Sequence, residues 1–319
     1  MRLSGLTVPA LLLLLLLLPG ATLACAPAPP PVHDIDANRY YVDARSSIVD
    51  PALKARNEAA VKPVNDYLGT IARAASDWQA GRDPDGARCA LAWLQAWAGH
   101  NAMLGTMTTN QSYYTRKWTL GGLALSYARV RPVATPSQRD AIDAWLRRLA
   151  DVTIAHAEQH KGVRNNHYYW EGLAVTAVGA VTADARYLDW GRKVFAHAMS
   201  QVQPDGSLPL EVARAGKALS YHLYSAAPLV MMASMLELDD PALERLLKFS
   251  VANVADPSSL ERLAGAAQEM PPRVPGWIAI HERRSGQRLA PQAPPANNWD
   301  ARMGGDRNLA NPLEHPRGG

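Results

Sequence analysis

The chain of 319 residues holds only two cysteines and two phenylalanines. Two isolated cysteines do not make a metal site, which needs a fuller ligand set. No glycine-rich phosphate loop and no G-x-S-x-G nucleophile elbow is present, so nucleotide-binding and serine-hydrolase readings lose their usual marks. No run shows the alternation of a half-buried strand, and no self-similarity recurs at a fixed period, which argues against β-architectures and a regular solenoid. Beyond the first two dozen residues no stretch approaches the eighteen or so apolar residues of a membrane span. Charge is nearly balanced, with 33 Lys+Arg against 29 Asp+Glu. That is no nucleic-acid-binding excess, but it is compatible with a local basic cleft facing an acidic polymer.

What is present begins with a leader. Met1-Arg2 is followed by eight consecutive leucines, Leu11 to Leu18, and then by Pro19-Gly20-Ala21-Thr22-Leu23-Ala24. This reads as a secretory signal cut near Ala24, giving a periplasmic or secreted mature protein, residues 25–319. In an oxidising compartment the even pair Cys25 and Cys89 reads as a disulfide; acylation of Cys25 is the alternative, although Thr22 stands where a lipoprotein signal usually has leucine. Nine tryptophans and eleven tyrosines outweigh the two phenylalanines. A core is indifferent to ring polarity, whereas carbohydrate faces favour amphipathic rings that stack and hydrogen-bond.

"APAPPPVHD" (Ala26 to Asp34) is a proline-rich lead-in. From Asp50 the pattern is helical almost throughout, opening with an aspartate cap and a proline at the first helical position. Roughly ten helices with short polar joints are expected; Pro63 should kink or divide the first, and Leu210 to Tyr224 lies in one long or twice-kinked helix. Glycine- and alanine-rich helices apolar on most faces imply an inner layer covered by amphipathic outer helices, a single all-α domain. From Leu289 the tail reads as irregular and surface-wrapping.

Two stretches carry chemistry. "RNNHYYWEG" (Arg164 to Gly172) crowds amides, an imidazole and aromatic rings at the start of a helix. In "LPLEVARAGKALSYHLY" (Leu208 to Tyr224), Arg214 and Tyr221 are seven residues apart, two turns on one helical face, with Lys217 between them. Such a face suits an anion; it also suits plain solvent, with Arg214 pairing Glu211. Asn165-Asn166-His167-Tyr168-Tyr169-Trp170 and Leu208–Tyr224, together with Arg88–Trp97, Tyr114–Tyr127 and Arg302–Pro312, resemble segments of the alginate lyase family, polysaccharide lyase family five. The resemblance runs from about Tyr40 to Pro312.

It implies an incomplete α/α toroid and a β-elimination on 1,4-linked uronate polymers, poly-β-D-mannuronate in the first place, with no cofactor or metal. Asn166, His167 and Arg214 match the family's carboxylate-binding positions, and Tyr221 matches the base that takes the C5 proton and then protonates the leaving oxygen. Tyr113, Arg116, Lys117 and Trp118 resemble a cleft-lining segment, with Trp118 equally readable as core. Tyr40 and Tyr41 fall in a segment that can form a lid. Arg164, Tyr169, Lys217 and His222 complete the expected substrate contacts. Arg214 and Lys217 are expected to favour the ionised form of Tyr221.

An anionic polysaccharide is the expected partner, with no nucleic acid and no membrane span, and a monomer is expected. Polyglucuronate or hyaluronan-type chains are the alternative substrates, since they share the relevant stereochemistry at C4 and C5. From other classes, a glycoside hydrolase would need two carboxylates across the bond, with Glu171 and Glu211 the nearest candidates, and a non-catalytic binding protein would hold polymer intact. His156 and His160 have a zinc-like spacing on one helix but lack a third ligand.

Overall fold

The computed structural model describes residues 25–316 except 273 and 294. The leader read in residues 1–24 lies outside the described residues. Eleven α-helices account for most of what is described. The first, α1 (Pro51–Gln79), starts as the sequence requires: the Asp50 carboxylate accepts from the Leu53 amide at 2.9 Å, and Pro51 takes the position where no amide donor is needed. Pro63 does not divide it, and α1 is a single element of 29 residues.

Helices then alternate between two layers. The inner row is α1, α3 (Asn110–Val130), α5 (Asn166–Thr182) and α8 (Ala218–Leu236); α3, α5 and α8 are buried on nearly every face. The outer row is α2 (Gly86–Gly99), α4 (Pro136–Gln159), α6 (Ala185–Gln201) and α9 (Pro241–Ala255), each with one buried stripe. Packing runs α1–α3–α5–α8 along the inner row, with α2 on α1, α4 on α5, α6 on α5 and α9 on α8. This is an incomplete α/α toroid. Each inner helix returns through an antiparallel outer one, so the inner helices start at the same end of the ring. Their amide-rich N-termini gather there, where an anion is favoured.

Short elements fill the joints: α7 (Pro209–Val212), α10 (Ser258–Ala264), α11 (Ile278–Ser285) and a two-stranded ribbon of β1 (Trp299–Asp300) against β2 (Gly305–Asp306). The expected long helix over Leu210–Tyr224 is broken. Ala215 turns left-handed at φ 52°, and residues 213–217 form a turn and a single 3-10 step between α7 and α8. The backbone groups freed by this break are taken up by a neighbouring loop. Gln268 donates to the Ala215 carbonyl and accepts from the Leu219 amide, and the Glu269 amide donates to the Gly216 carbonyl at 2.8 Å.

Both ends of the described residues are tied down. Cys25 and Cys89 form a disulfide. The lead-in that follows is stitched to the body: Trp93 and Trp97 donate their indole N–H groups to Ala26 and Pro29, and Ile35 pairs with Met107. The tail is less irregular than its composition suggests, with Asn311 donating to the Leu125 carbonyl and Arg129 to that of Gly304. No helix among the described residues is long and apolar enough to cross a membrane.

Candidate active site

A groove of about 660 Å³ opens over the N-terminal ends of the inner helices. Helical period selects what it sees. From α1 it receives Lys54, Asn57, Glu58, Val61 and Asn65; from α3, Asn110, Gln111, Tyr114, Thr115 and Trp118; from the start of α8, Lys217, Ser220, Tyr221 and Tyr224. Steps of three and four residues place each set on one face. Asn165 and His167 enter from the start of α5 and Arg214 from the broken joint. Arg39, Lys54, Arg214, Lys217 and Arg302 line this groove against the single carboxylate of Glu58, which is paired with Lys54. The surface is built for a polyanion.

At its centre the Arg214 guanidinium carbon lies 3.7 Å from the centroid of the Tyr221 ring, and the Tyr221 hydroxyl donates to that of Tyr41 at 2.9 Å. Arg214 also donates to the Ser46 carbonyl at 3.1 Å, while its Nε, though buried, has no protein partner. It thus joins α8 to the loop 40–50. That loop folds on itself: Tyr41 bridges Val49, and the Asp43 carboxylate accepts from the amides of Ser47 and Ile48. These bonds hold the Asp43 carboxyl down at about 2. Of the two tyrosines, Tyr41 makes the contact with Tyr221, and Tyr40 packs beside it with ring centroids 4.9 Å apart.

His167 occupies the opposite wall. Asn165 caps α5 by accepting from the His167 amide at 3.1 Å, and the imidazole stacks on Tyr114 with centroids 3.7 Å apart. Burial, followed by the charges of Lys117 and Arg214, holds His167 well below its ordinary pKa, so the ring is neutral, and its Nδ1 has no protein partner. Burial pushes the Tyr221 phenol far above 10; Arg214 works against this, and the bond to Tyr41 adds to it. Arg214 thus favours the ionised form, as expected, but burial outweighs it and leaves Tyr221 protonated; Lys217 is not among the main groups that act on it. Lys217 lines the groove edge but is engaged by Glu269 at 2.6 Å.

Several expected contacts lie elsewhere. Asn166 is fully buried and off the groove; its backbone and side-chain amides both donate to Glu211, at 3.1 and 3.0 Å. It pins the start of α5 to α7. Tyr113 stacks on His156, Arg116 reaches the Val152 carbonyl, and Lys117 is buried with its ammonium on the His167 carbonyl at 2.7 Å and on Glu171 at 3.2 Å. These three sit on helical faces adjacent to the one bearing Tyr114 and Trp118. Burial lowers the Lys117 ammonium to about 8, with Glu171 opposing. Burial would raise the Glu171 carboxyl, but Lys117 and His156 outweigh it and keep it ionised. Tyr169 is core. His222 is fully buried, accepting from the Leu208 amide and donating to the Ala218 carbonyl. Arg164 lines a smaller cavity that adjoins the groove beyond His167.

Sequence reasoning missed Tyr114 and Arg302. Tyr114 was legible: it lies one turn before Trp118. Arg302 was not, since it arrives from the tail and stacks over Trp118, its guanidinium carbon 4.0 Å from the ring. Gly122 allows this approach, for a Cβ there would lie 2.3 Å from the Ala301 carbonyl oxygen.

The model of the family described as alginate lyase matches residues 34–260. The chain belongs to the alginate lyase family. It is thereby a polysaccharide lyase. Among curated relatives, a polysaccharide lyase of Stenotrophomonas maltophilia (strain K279a) is 40% identical over 308 residues, covering 92% of this chain and 93% of the relative. An alginate lyase of Azotobacter vinelandii (strain DJ / ATCC BAA-1303) is 35% identical over 239 residues, 70% of this lyase but only 63% of that protein's length. Among solved structures, alginate lyase A1-III carrying a tyrosine-to-phenylalanine change and complexed with a tetrasaccharide superposes with a TM-score of 0.76 at 25% identity, over 92% of this chain and 87% of that one.

Proposed function

We propose that this family member cleaves 1,4-linked polyuronate, poly-β-D-mannuronate as found in alginate, by syn β-elimination outside the cytoplasm. A proton at C5 of a uronate is hardly acidic, because its removal adds negative charge beside an existing carboxylate. In this reading Arg214 and the neutral imidazole of His167, both on the groove, offset that charge, and preorganised donors of this kind contribute a few kcal/mol each. Tyr221, after losing its phenol proton to solvent, takes the C5 proton, the electron pair becomes the C4–C5 double bond, and the C4–oxygen bond breaks. The leaving oxygen then receives the proton from Tyr221, which returns to its ionised state. One residue serves both steps because C5–H and the C4 oxygen of a β-mannuronate lie on the same face.

The observation that carries this reading is the convergence of Arg214, Tyr221 and His167 on one cationic groove. The hydrolase alternative is poorly served: Glu211 is buried beneath Asn166, and Glu171 is bound by Lys117. The test is ultraviolet absorbance of the unsaturated product on polymannuronate, polyguluronate, polyglucuronate and hyaluronan, with chelator present. Absorbance should grow on polymannuronate, and Tyr221→Phe should lower kcat by roughly 10²- to 10⁴-fold. Strongest turnover on polyglucuronate, which shares C4 and C5 with polymannuronate, would reassign the sugar. Shortening of chains without absorbance would sink the lyase mechanism for this protein.

A further inference from the structure

Behind the stacked pair of His167 and Tyr114 lies a second cavity of about 140 Å³. It shares Asn110, Tyr114, Asn165 and His167 with the main groove, so the two are parts of one surface. Its far wall is formed by His156, His160 and Arg164, with Tyr168, Val163 and Glu171. The volume is several times the ~30 Å³ share of a water molecule. It is room for one sugar ring rather than for an ion.

Its lining mixes rings and polar groups, with Arg164 as the cation among them. Arg164 donates to the Tyr168 hydroxyl at 3.0 Å and lies 4.5 Å over the Tyr168 ring, which fixes its guanidinium at the cavity wall. His156 is held by the stacking of Tyr113, with ring centroids 3.8 Å apart. The exposed His160 ring lies against Gly162, where a Cβ would come within 2.6 Å of His160 Nε2, so a side chain there would shift the ring. The sole carboxylate of the lining, Glu171, is already taken by Lys117.

We propose that this cavity is a subsite for a single uronate unit of the bound polymer, with Arg164 and His160 receiving its carboxylate and Tyr168 holding Arg164 in place. A polymer in the main groove reaches it by passing His167. The site gives His160 a role in carbohydrate recognition, while His156 supports the wall between Tyr113 and Glu171. It rests on the lyase reading and adds to it the position at which one unit beyond the reacting pair is held.

The test uses β-1,4-mannuronate oligomers from dimer to hexamer with native protein, Arg164→Ala, His160→Ala and Gly162→Ala. Equilibrium binding by calorimetry is measured beside kcat/KM, so that recognition is read whether or not turnover occurs. In native protein, affinity and kcat/KM should rise in a step of about tenfold once the oligomer is long enough to fill the cavity. Each variant should shrink that step, while the pH profile of turnover keeps its form. Equal losses at every length, or an undiminished step in all three variants, overturns the subsite. Failure of native protein to bind any oligomer overturns it as well. Tight binding with the step intact in native protein but no unsaturated product leaves the subsite standing and removes the lyase reading.

Discussion

Two residues make opposite demands of pH. Tyr221 is buried against Arg214 and bonded to Tyr41, and its phenol titrates far above 10. If the phenolate is the base, its population rises tenfold per pH unit below that pKa, and His167, held neutral, adds no opposing limb. We therefore expect kcat/KM on polymannuronate to climb about tenfold per unit between roughly pH 6 and 9. Tyr41→Phe removes a hydrogen bond that favours the neutral phenol and should move this limb to lower pH; a rate maximum below about pH 6 would rule out the tyrosine base. His222 acts on stability instead. Burial depresses its pKa from 6.5 to about 4, so the unfolded chain binds the proton more readily. The stabilisation is complete above pH 6.5 and is lost as pH falls toward 4, on the order of 3 kcal/mol. Denaturant titrations should show that slope in native protein and lose it in His222→Gln, whose amide can replace both ring contacts.

At the level of helices, much of the groove was legible once period was respected. The start of α5 is written in Asn165-Asn166-His167, because asparagine caps a helix, and His167 follows directly on the groove. On α3 the sequence pointed to Tyr113, Arg116, Lys117 and Trp118, which spread over several faces, whereas a helix shows a groove only one face, here Tyr114 and Trp118. Lys117 is turned inward to the carbonyl of His167 and to Glu171, where it supports the site from behind. Lys117→Met would leave Glu171 buried without its cation, a loss of about 3–5 kcal/mol in unfolding free energy that Lys117→Met/Glu171→Gln should largely restore. The break between α7 and α8 was not legible, because its freed carbonyls are satisfied by Gln268 and Glu269, some fifty residues on. Arg302 was hidden for the same reason: no local pattern joins a tail to Trp118. Gly122→Ala should push residues 301–303 outward, lower stability by about 1–3 kcal/mol and raise KM several-fold. Arg302→Ala should raise KM without the stability loss, which separates the two effects.

Across the whole molecule the lead-in links the chain's one disulfide to its groove. From Cys25 the segment is anchored by Trp93, Trp97, Met103 and Gly105 and by Ser112, which accepts from the Ala37 amide at the head of α3. It then delivers Tyr41 onto Tyr221, with Tyr40 packed beside it. The bridge to Cys89 closes a span of 64 residues that includes the loop 40–50 and all of α1. In the unfolded chain that closure removes conformational freedom worth about 4 kcal/mol on the loop-entropy relation. The folded anchors do not depend on it, since eight backbone groups of residues 26–37 are bonded by side chains and backbone of the body. Cys25→Ser/Cys89→Ser should therefore lower the unfolding free energy by up to ~4 kcal/mol while leaving kcat near the native value at temperatures where the protein stays folded. Denaturant titration gives the first quantity and product absorbance the second. A loss of kcat in fully folded variant would mean that the bridge itself sets the position of Tyr41 over the groove.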